Sequence, residues 1–441
     1  VSLSHADQAA SLSRSPRRVR IPLVWYTLIH DARRTSVAIL GVVFAAILMF
    51  MQLGFLGAVR TTATTLLEKL DFDLLLVSPT YLYFYDTGTF PRIRLDQARS
   101  LEGVKDTLAL HVGFNTWSRS ASEGQGATDE VALRPIFVIG YDLAAQPFRA
   151  EAFHGLNLRL MRPIPGGTCL EVRKPGDLAL LRRPGTVLID RDSHPDFGPM
   201  EQLDPCAGDE TKGAKDHEPA KAILGQQEVE VIGAFDLSIG FGADGALLVD
   251  DANFRRHFGG RSSRDVSLGL VQLEPSANVD QVAEAMEVLL TGEDVQVLTR
   301  AEVLEQEEQF WTKEKPVGII FGLGIGVACA VGVVFVYQIL SSDITKRFSE
   351  FATLKAMGYP DRTVSGLVIR QALVLSHAGY VPGLIIAAIL EKGVSLWTRM
   401  PVGLTWNDAG LVYIASVLIC MISALLAVGK VRKADPAELF A

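Results

Sequence analysis

The sequence has no phosphate-binding loop of the form G-x-x-x-x-G-K-[ST], so nothing in it can cradle ATP in the Walker manner. It also lacks an HExxH pair, a G-x-S-x-G elbow and any cysteine cluster with zinc spacing, which excludes the common signatures of metalloprotease, serine hydrolase and zinc-site chemistry. Gly240-Phe-Gly-Ala-Asp-Gly245 is glycine-rich but precedes a short strand rather than a helix, and reads as a turn. Only four cysteines occur in 441 residues. No catalytic residue and no metal ligand set emerges.

Basic charge is also scarce. The chain carries 42 Lys and Arg against 50 Asp and Glu, a net −8. The imbalance lies in Arg60 to Lys315, with 26 basic and 41 acidic residues; the remainder has 16 against 9. An acidic domain of that size argues against nucleic acid or polyanion as a partner.

What the sequence has in abundance is apolar residues, 49% of the total. They concentrate in four runs, Val37 to Val59, Val317 to Leu340, Val364 to Leu390 and Leu411 to Val428. Each reaches membrane-spanning length, which is roughly 20 residues for a hydrocarbon core about 30 Å thick. The first is too long and too deep in the chain to be a signal-peptide core, and reads as a retained anchor.

Basic residues flank the runs on one side: Arg14, Arg17, Arg18, Arg20, Arg33 and Arg34 before the first, Lys346, Arg347, Lys355 and Arg362 between the second and third, Lys430, Arg432 and Lys433 after the fourth. The positive-inside rule then predicts cytoplasmic N- and C-termini and an outer domain between the first two spans.

This organisation predicts nine segments. They are a cytoplasmic tail with an interfacial helix (1–35), a first span (36–59), an outer domain with stalk helices (60–315), a second span (316–340) and a cytoplasmic loop (341–363). A third span (364–390), an outer loop (391–410), a fourth span (411–429) and a cytoplasmic tail (430–441) complete it.

Within the outer domain, a strand over Asp73 to Ser78, a helix over Gln97 to Leu101 capped by Asp96 and a strand over Val104 to Phe114 form one β-α-β unit. A second unit comprises the strand Val266 to Leu273, a helix capped by Asn278 and running to Leu290, and the strand Val295 to Leu298. Two such units far apart predict a split ferredoxin-like subdomain. Leu133 to Tyr141, Thr186 to Ile189, Glu228 to Phe235 and Ala246 to Val249 are the strands expected in the insert between them. Thr61 to Leu70 and the charged stretch Thr299 to Lys315 read as stalk helices, with Pro316 at the junction as a kink or a helix start.

The segment around which the chain is organised is the cytoplasmic one. Phe348, Phe351, Leu354 and Met357 recur every third residue on one helical face, with Glu350 and Lys355 off it and Gly358 as the stop. So short a helix is marginal alone, and its aromatic face suits a partner's groove. Gly318, Gly322 and Gly326 in the second span form two overlapping GxxxG steps, which predict close helix packing within the chain or in a homodimer; Gln52 is a lone membrane amide suited to the same purpose or to substrate contact. His377 is read either as a neutral hydrogen-bonded group or as a proton relay. Cys169 and Cys206, both in the outer domain, are either bridged or free thiols.

Glu350-Phe-Ala-Thr-Leu-Lys-Ala-Met-Gly-Tyr359 resembles the coupling-helix signature of FtsX-like, MacB-type ABC transporter permeases. Met49-Phe-Met-Gln-Leu-Gly-Phe55, Val336-Tyr-Gln-Ile-Leu340 and Ala434-Asp-Pro-Ala-Glu-Leu-Phe440 extend the resemblance over nearly the whole chain and make it most similar to the DevC branch. The resemblance implies a polytopic α-helical membrane protein with four transmembrane helices and a large α+β periplasmic domain between the first and second. That domain would have a porter-like lobe (60–115 and 265–298) and a Sabre-like insert (130–255).

It further implies a non-catalytic exporter permease of the bacterial inner membrane, acting by mechanotransmission on a lipid, glycolipid or other hydrophobic or envelope substrate. Implied partners are a cytoplasmic DevA-like ATPase holding ATP and Mg, a periplasmic DevB-like membrane-fusion adaptor, an outer-membrane TolC-like channel and a second copy of the chain. A LolC/LolE-like lipoprotein release subunit and an FtsX-like signalling scaffold remain open as alternatives.

Overall fold

The computed structural model describes residues 32–119, 133–161, 169–206, 219–237, 242–398 and 401–432, apart from positions 261, 263, 291, 293, 348, 351–352, 354–356 and 358–359. Helices α1 (Ala32–Lys69), α2 (Ile93–Arg99), α3 (Asp251–His257), α4 (Val279–Leu289), α5 (Arg300–Gln309), α6 (Pro316–Lys346), α7 (Asp361–Thr398) and α8 (Trp406–Arg432) carry the argument. Four of these, α1, α6, α7 and α8, are long and apolar enough to cross a membrane, and a large mixed α/β domain lies between the first and second of them.

The chain divides into two compact units. One contains residues 1–54, 322–393 and 403–441; the other contains residues 55–321 and 394–402.

In the helical unit, small residues set the packing. A methyl group on Gly379 would strike the Val42 side chain at 2.5 Å, one on Gly383 would meet Ala46 at 2.9 Å, and one on Gly332 would meet Ala45 at the same distance. Close approach at such positions replaces the hydrophobic driving force that lipid removes. Ala46, Ala387, Cys420, Ala424 and Ala427 are fully buried in the resulting core.

The membrane helices run past the ends of the apolar runs. In particular, the predicted outer loop 391–410 is mostly helical, because α7 continues to Thr398 and α8 begins at Trp406. Glu391 and Lys392 interrupt the hydropathy but not the helix, and Glu391 is only 2% exposed. Pro382 lies within α7, which continues through it.

The other unit is built on one sheet. Its strands are β1 (Leu74–Val77), β3 (Val104–Arg119), β4 (Arg134–Tyr141), β5 (Arg159–Met161), β6 (Cys169–Glu171), β7 (Thr186–Asp190), β8 (Ala220–Leu224), β9 (Gln227–Phe235), β10 (Ala246–Asp250), β12 (Leu268–Leu273) and β13 (Gln296–Thr299). A separate two-strand ribbon pairs β2 (Phe90–Pro91) with β11 (Asp265–Val266).

The order β13-β1-β12-β3, antiparallel throughout, with α2 and α4 as crossovers, is the split ferredoxin-like arrangement expected from the two β-α-β units. Asn278 caps α4 by accepting from the Asp280 and Gln281 amides. Asp96, however, is not a cap: α2 starts at Ile93, one turn before the predicted start, because Arg94 is held there by Asp294 at 2.9 Å and Leu95 is buried.

The expected insert strands are β4, β7, β9 and β10, and the sheet continues β3-β4-β10-β7-β9-β5-β6. The two predicted lobes therefore share one sheet. The sixteen-residue β3 joins them, pairing through Leu110 with β12 on one side and β4 on the other.

Candidate functional site

Two places are the candidates among the described residues: the loop that carries the amphipathic segment, and the stalk where α1 meets α5.

In the loop, Phe348, Phe351, Leu354, Lys355 and Gly358 lie outside the described residues. Glu350 is helical and exposed, and Met357 is 62% exposed with its amide donating to the Thr353 carbonyl at 3.0 Å. The flanks are braced. Asp343 on α6 accepts from Arg347 Nε at 3.2 Å and from Gln371 Nε2 on α7 at 3.0 Å, so one carboxylate ties together the helices on both sides of the segment. Both partners of the ion pair are largely buried, which screens it less than a surface pair.

Deeper in the helical unit, the GxxxG steps do not act as a single seam. A methyl on Gly324, outside that pattern, would fall 2.5 Å from the Gln52 amide carbon, so Gln52 packs over Gly324. Among the described residues, a methyl on Gly322 or Gly326 meets nothing within 4 Å. The 3.6-residue period explains the difference, since Gly324 lies on another face from Gly322 and Gly326. His377 is hydrogen-bonded at both ring nitrogens. Nδ1 lies 2.7 Å from the Leu373 carbonyl and must be the donor there, so Nε2 accepts from Tyr413 at 2.7 Å in the neutral ring.

The stalk is a joint between two helices. Arg300, the first residue of α5, inserts its guanidinium among the carbonyls at the end of α1 and just beyond it. Nη1 donates to Leu70 and Phe72 at 3.1 and 3.2 Å, and Nη2 to Glu68 and Leu67 at 3.0 and 3.4 Å, while the guanidinium stacks 4.7 Å above the Phe72 ring. The end of a helix exposes unpaired carbonyls and a partial negative charge, and a planar cation with several donors satisfies both. Thr299 and Glu302 close a capping box at the start of α5. Farther along, Arg60 on α1 pairs with Glu308 at 3.1 Å.

Val303 and Glu307 on α5, with Phe310 just beyond its end, face inward, and Glu307 is fully buried. Its Oε1 accepts the phenol proton of Tyr81. Burial pushes the carboxyl up to about 7, against the opposing pull of Tyr81, the Phe84 amide and the Trp311 indole. Phe310, stacked 4.3 Å from Tyr83, opens a π-turn over Phe310–Glu314; Lys315 is extended and Pro316 starts α6. The junction at Pro316 is thus a helix start. Gly318 is used here, because a methyl group on it would lie 2.0 Å from the Thr312 carbonyl oxygen.

In the sheet, Cys169 and Cys206 form a disulfide, with their Cα atoms 5.8 Å apart. It fastens the edge strand β6 beside a polar node in which Asp204 accepts from the Cys206 amide at 2.9 Å and from Arg191 at 3.1 Å, and Arg191 also holds Asp236 at 2.8 Å. Cys169→Ser is expected to lower the stability of the outer domain by about 2–4 kcal/mol, because it releases a loop closure in the unfolded chain; a denaturant melt read by Trp117 fluorescence checks this.

The sequence pointed to the amphipathic segment and the cysteine pair but not to Arg300, Glu307, Gly324 or the Asp343 brace. The spacing of Val303, Glu307 and Phe310, four and then three, was the available signal that one glutamate of an acidic run faces inward.

The decisive comparison concerns the second half of the helical unit. Residues 322–436 match the family model described as FtsX-like permease C-terminal. The FtsX-like match includes α7, α8, most of α6 and the whole of the amphipathic segment. The chain is similar to two solved domains. One is the periplasmic region of MacB from Actinobacillus actinomycetemcomitans, at 9% identity and a TM-score of 0.33, covering 55% of this chain and 95% of that one. The other is the extracellular domain of the noncanonic ABC-type transporter YknZ from Gram-positive bacteria, at 16% identity and a TM-score of 0.29, covering 52% and 100%. No curated protein matches the chain.

Proposed function

We propose that this chain is the permease subunit of an ATP-driven ABC exporter of the DevC type. It catalyses no reaction itself. A separate DevA-like ATPase, which binds ATP and Mg, docks on the segment Phe348–Met357 from the cytoplasm. Closure of the ATPase is passed through α6 and α7 to the stalk, and the outer domain does the work on a lipid, glycolipid or similar hydrophobic substrate with a periplasmic DevB-like adaptor and a TolC-like channel. The chain sits in the bacterial inner membrane with both termini in the cytoplasm. It acts as a homodimer; the Gly322 and Gly326 face of α6, which meets nothing within 4 Å among the described residues, supports that reading.

The observation that carries this reading is the position of the segment: it lies inside the FtsX-like match, between two helices that share the Asp343 brace. A docking element braced on both flanks can move α6 and α7 together rather than bend alone.

Co-purification of the neighbouring ATPase in detergent tests it. Wild type is expected to retain the ATPase, and Phe351→Glu with Leu354→Glu to lose it while remaining folded, since two carboxylates would be buried in the partner's groove without counter-charges. Equal retention by both proteins, or by neither, overturns the reading.

A further inference from the structure

The other side of α5 borders a groove of about 380 Å3. The loop that follows β1 supplies Leu82 to it, α5 supplies Glu302, Glu305 and Gln309, and the π-turn supplies Phe310 and Glu314. One part of its lining is apolar and the rest carries carboxylates.

Both sides are fixed by their own hydrogen bonds. The Leu82 amide donates to the Asp86 carbonyl at 3.1 Å and the Asp86 amide to the Tyr83 carbonyl at 2.8 Å, yet Leu82 is 51% exposed. Across from it, α5 is held at its start by the capping box and by Arg300, and Phe310 is stacked on Tyr83. Leu82 is therefore held out by a hydrogen-bonded turn, and a groove that needs no ordering loses less entropy when it is filled.

The carboxylates lack counter-charge. No lysine or arginine lines the groove, and Glu302, Glu305 and Glu314 form no ion pair among the described residues. Glu302 turns one oxygen to its own cap, and Glu305 accepts only from the Gln309 amide, at 2.8 Å. Nearby cations are engaged elsewhere: Lys315 lies over the Tyr83 and Phe310 rings, Arg60 is paired with Glu308, and Arg300 is spread over the end of α1. Residues 302, 305 and 309 are three and four apart, so these polar groups follow one helical face over about 10 Å, and Glu314 continues the row. A ligand with one ammonium can answer only one of these carboxylates. A helix with lysines or arginines at matching intervals answers all three, and an apolar residue between them reaches Leu82.

We propose that this groove docks a basic amphipathic helix of a partner protein, whose cationic side chains pair with Glu302, Glu305 and Glu314 and whose apolar side covers Leu82. Laid along α5, the helix braces the stalk from the Arg300 joint to the π-turn. The proposal goes beyond the exporter reading and stands whether or not an ATPase docks on the cytoplasmic segment.

The test is fluorescence anisotropy of a labelled lysine–alanine helix of about 16 residues with a single leucine, added to the full-length protein in uncharged detergent. Wild type is expected to bind it and to ignore a glutamate–alanine helix of the same length. Glu305→Gln with Glu314→Gln weakens binding about tenfold, with Glu302 left in place to keep the cap. Glu284→Gln with Glu287→Gln removes the same charge from the exposed side of α4 and changes nothing. Leu82→Ser weakens binding about fivefold. Glu305→Lys with Glu314→Lys gains the glutamate–alanine helix, a result that a misfolded protein cannot give. No binding by wild type, equal loss in the two Gln pairs, or unchanged binding in Leu82→Ser overturns the proposal. Weaker self-association of the Glu305→Gln, Glu314→Gln protein assigns the groove to a second copy, and dodecylamine bound there in place of the peptide assigns it to a cationic amphiphile; either result also overturns it.

Discussion

Gly318→Ala is expected to destabilise the protein by about 3 kcal/mol or more, whereas Gly322→Ala and Gly326→Ala leave the monomer as stable as wild type or slightly more so. The three glycines look equivalent in the sequence, and the structure separates them. A Cβ at position 318 would lie 2.0 Å from the Thr312 carbonyl oxygen and 2.5 Å from its carbonyl and α carbons. All three are backbone atoms and cannot rotate aside, so the π-turn or the first turn of α6 has to move. At 322 and 326 a methyl group meets nothing among the described residues, and alanine is the better helix former by about 1 kcal/mol. Thermal melts in detergent give the contrast. The same two alanine variants should weaken self-association if that face holds the second copy, which light scattering after gel filtration reads.

Arg300→Ala is expected to cost about 2–4 kcal/mol and to fray the end of α1. The side chain satisfies four carbonyls at once, and its removal leaves those of Leu67, Glu68, Leu70 and Phe72 short of a donor and uncovers the Phe72 ring. Arg300→Lys should recover little, because an ammonium is a point charge and cannot span the same set of carbonyls with a planar fork. Hydrogen exchange of the amides from Leu66 to Leu70 is the measurement. Faster exchange confined to that turn in both variants is the predicted outcome, and unchanged exchange contradicts the role assigned to Arg300.

Much of this architecture was legible because it rests on local periodicity. The four apolar runs, the paired β-α-β units and the Asn278 cap are each written within a short stretch of sequence. The features that were not legible depend on contacts between distant residues. Gly324 matters because Gln52, far away in sequence, crosses it, and the GxxxG spacing within α6 points to Gly322 and Gly326 instead. Arg300 reads as one more charge in a charged helix until the end of α1 is placed beside it. Glu307 hid in a run of four glutamates, where composition says solvent and only the spacing to Val303 and Phe310 says core. Helix ends are less legible than apolar runs: Glu391, just past the third run, is carried inside α7, where it is buried and the helix continues to Thr398.

The central claim is that the segment between α6 and α7 receives the motion of a separate ATPase. ATP hydrolysis by that ATPase, reconstituted with the full-length chain in nanodiscs, measures it directly. Hydrolysis should depend on the wild-type chain and fall to the rate of the ATPase alone with Phe351→Glu and Leu354→Glu. An identical rate with the wild-type and doubly substituted chains would contradict the account.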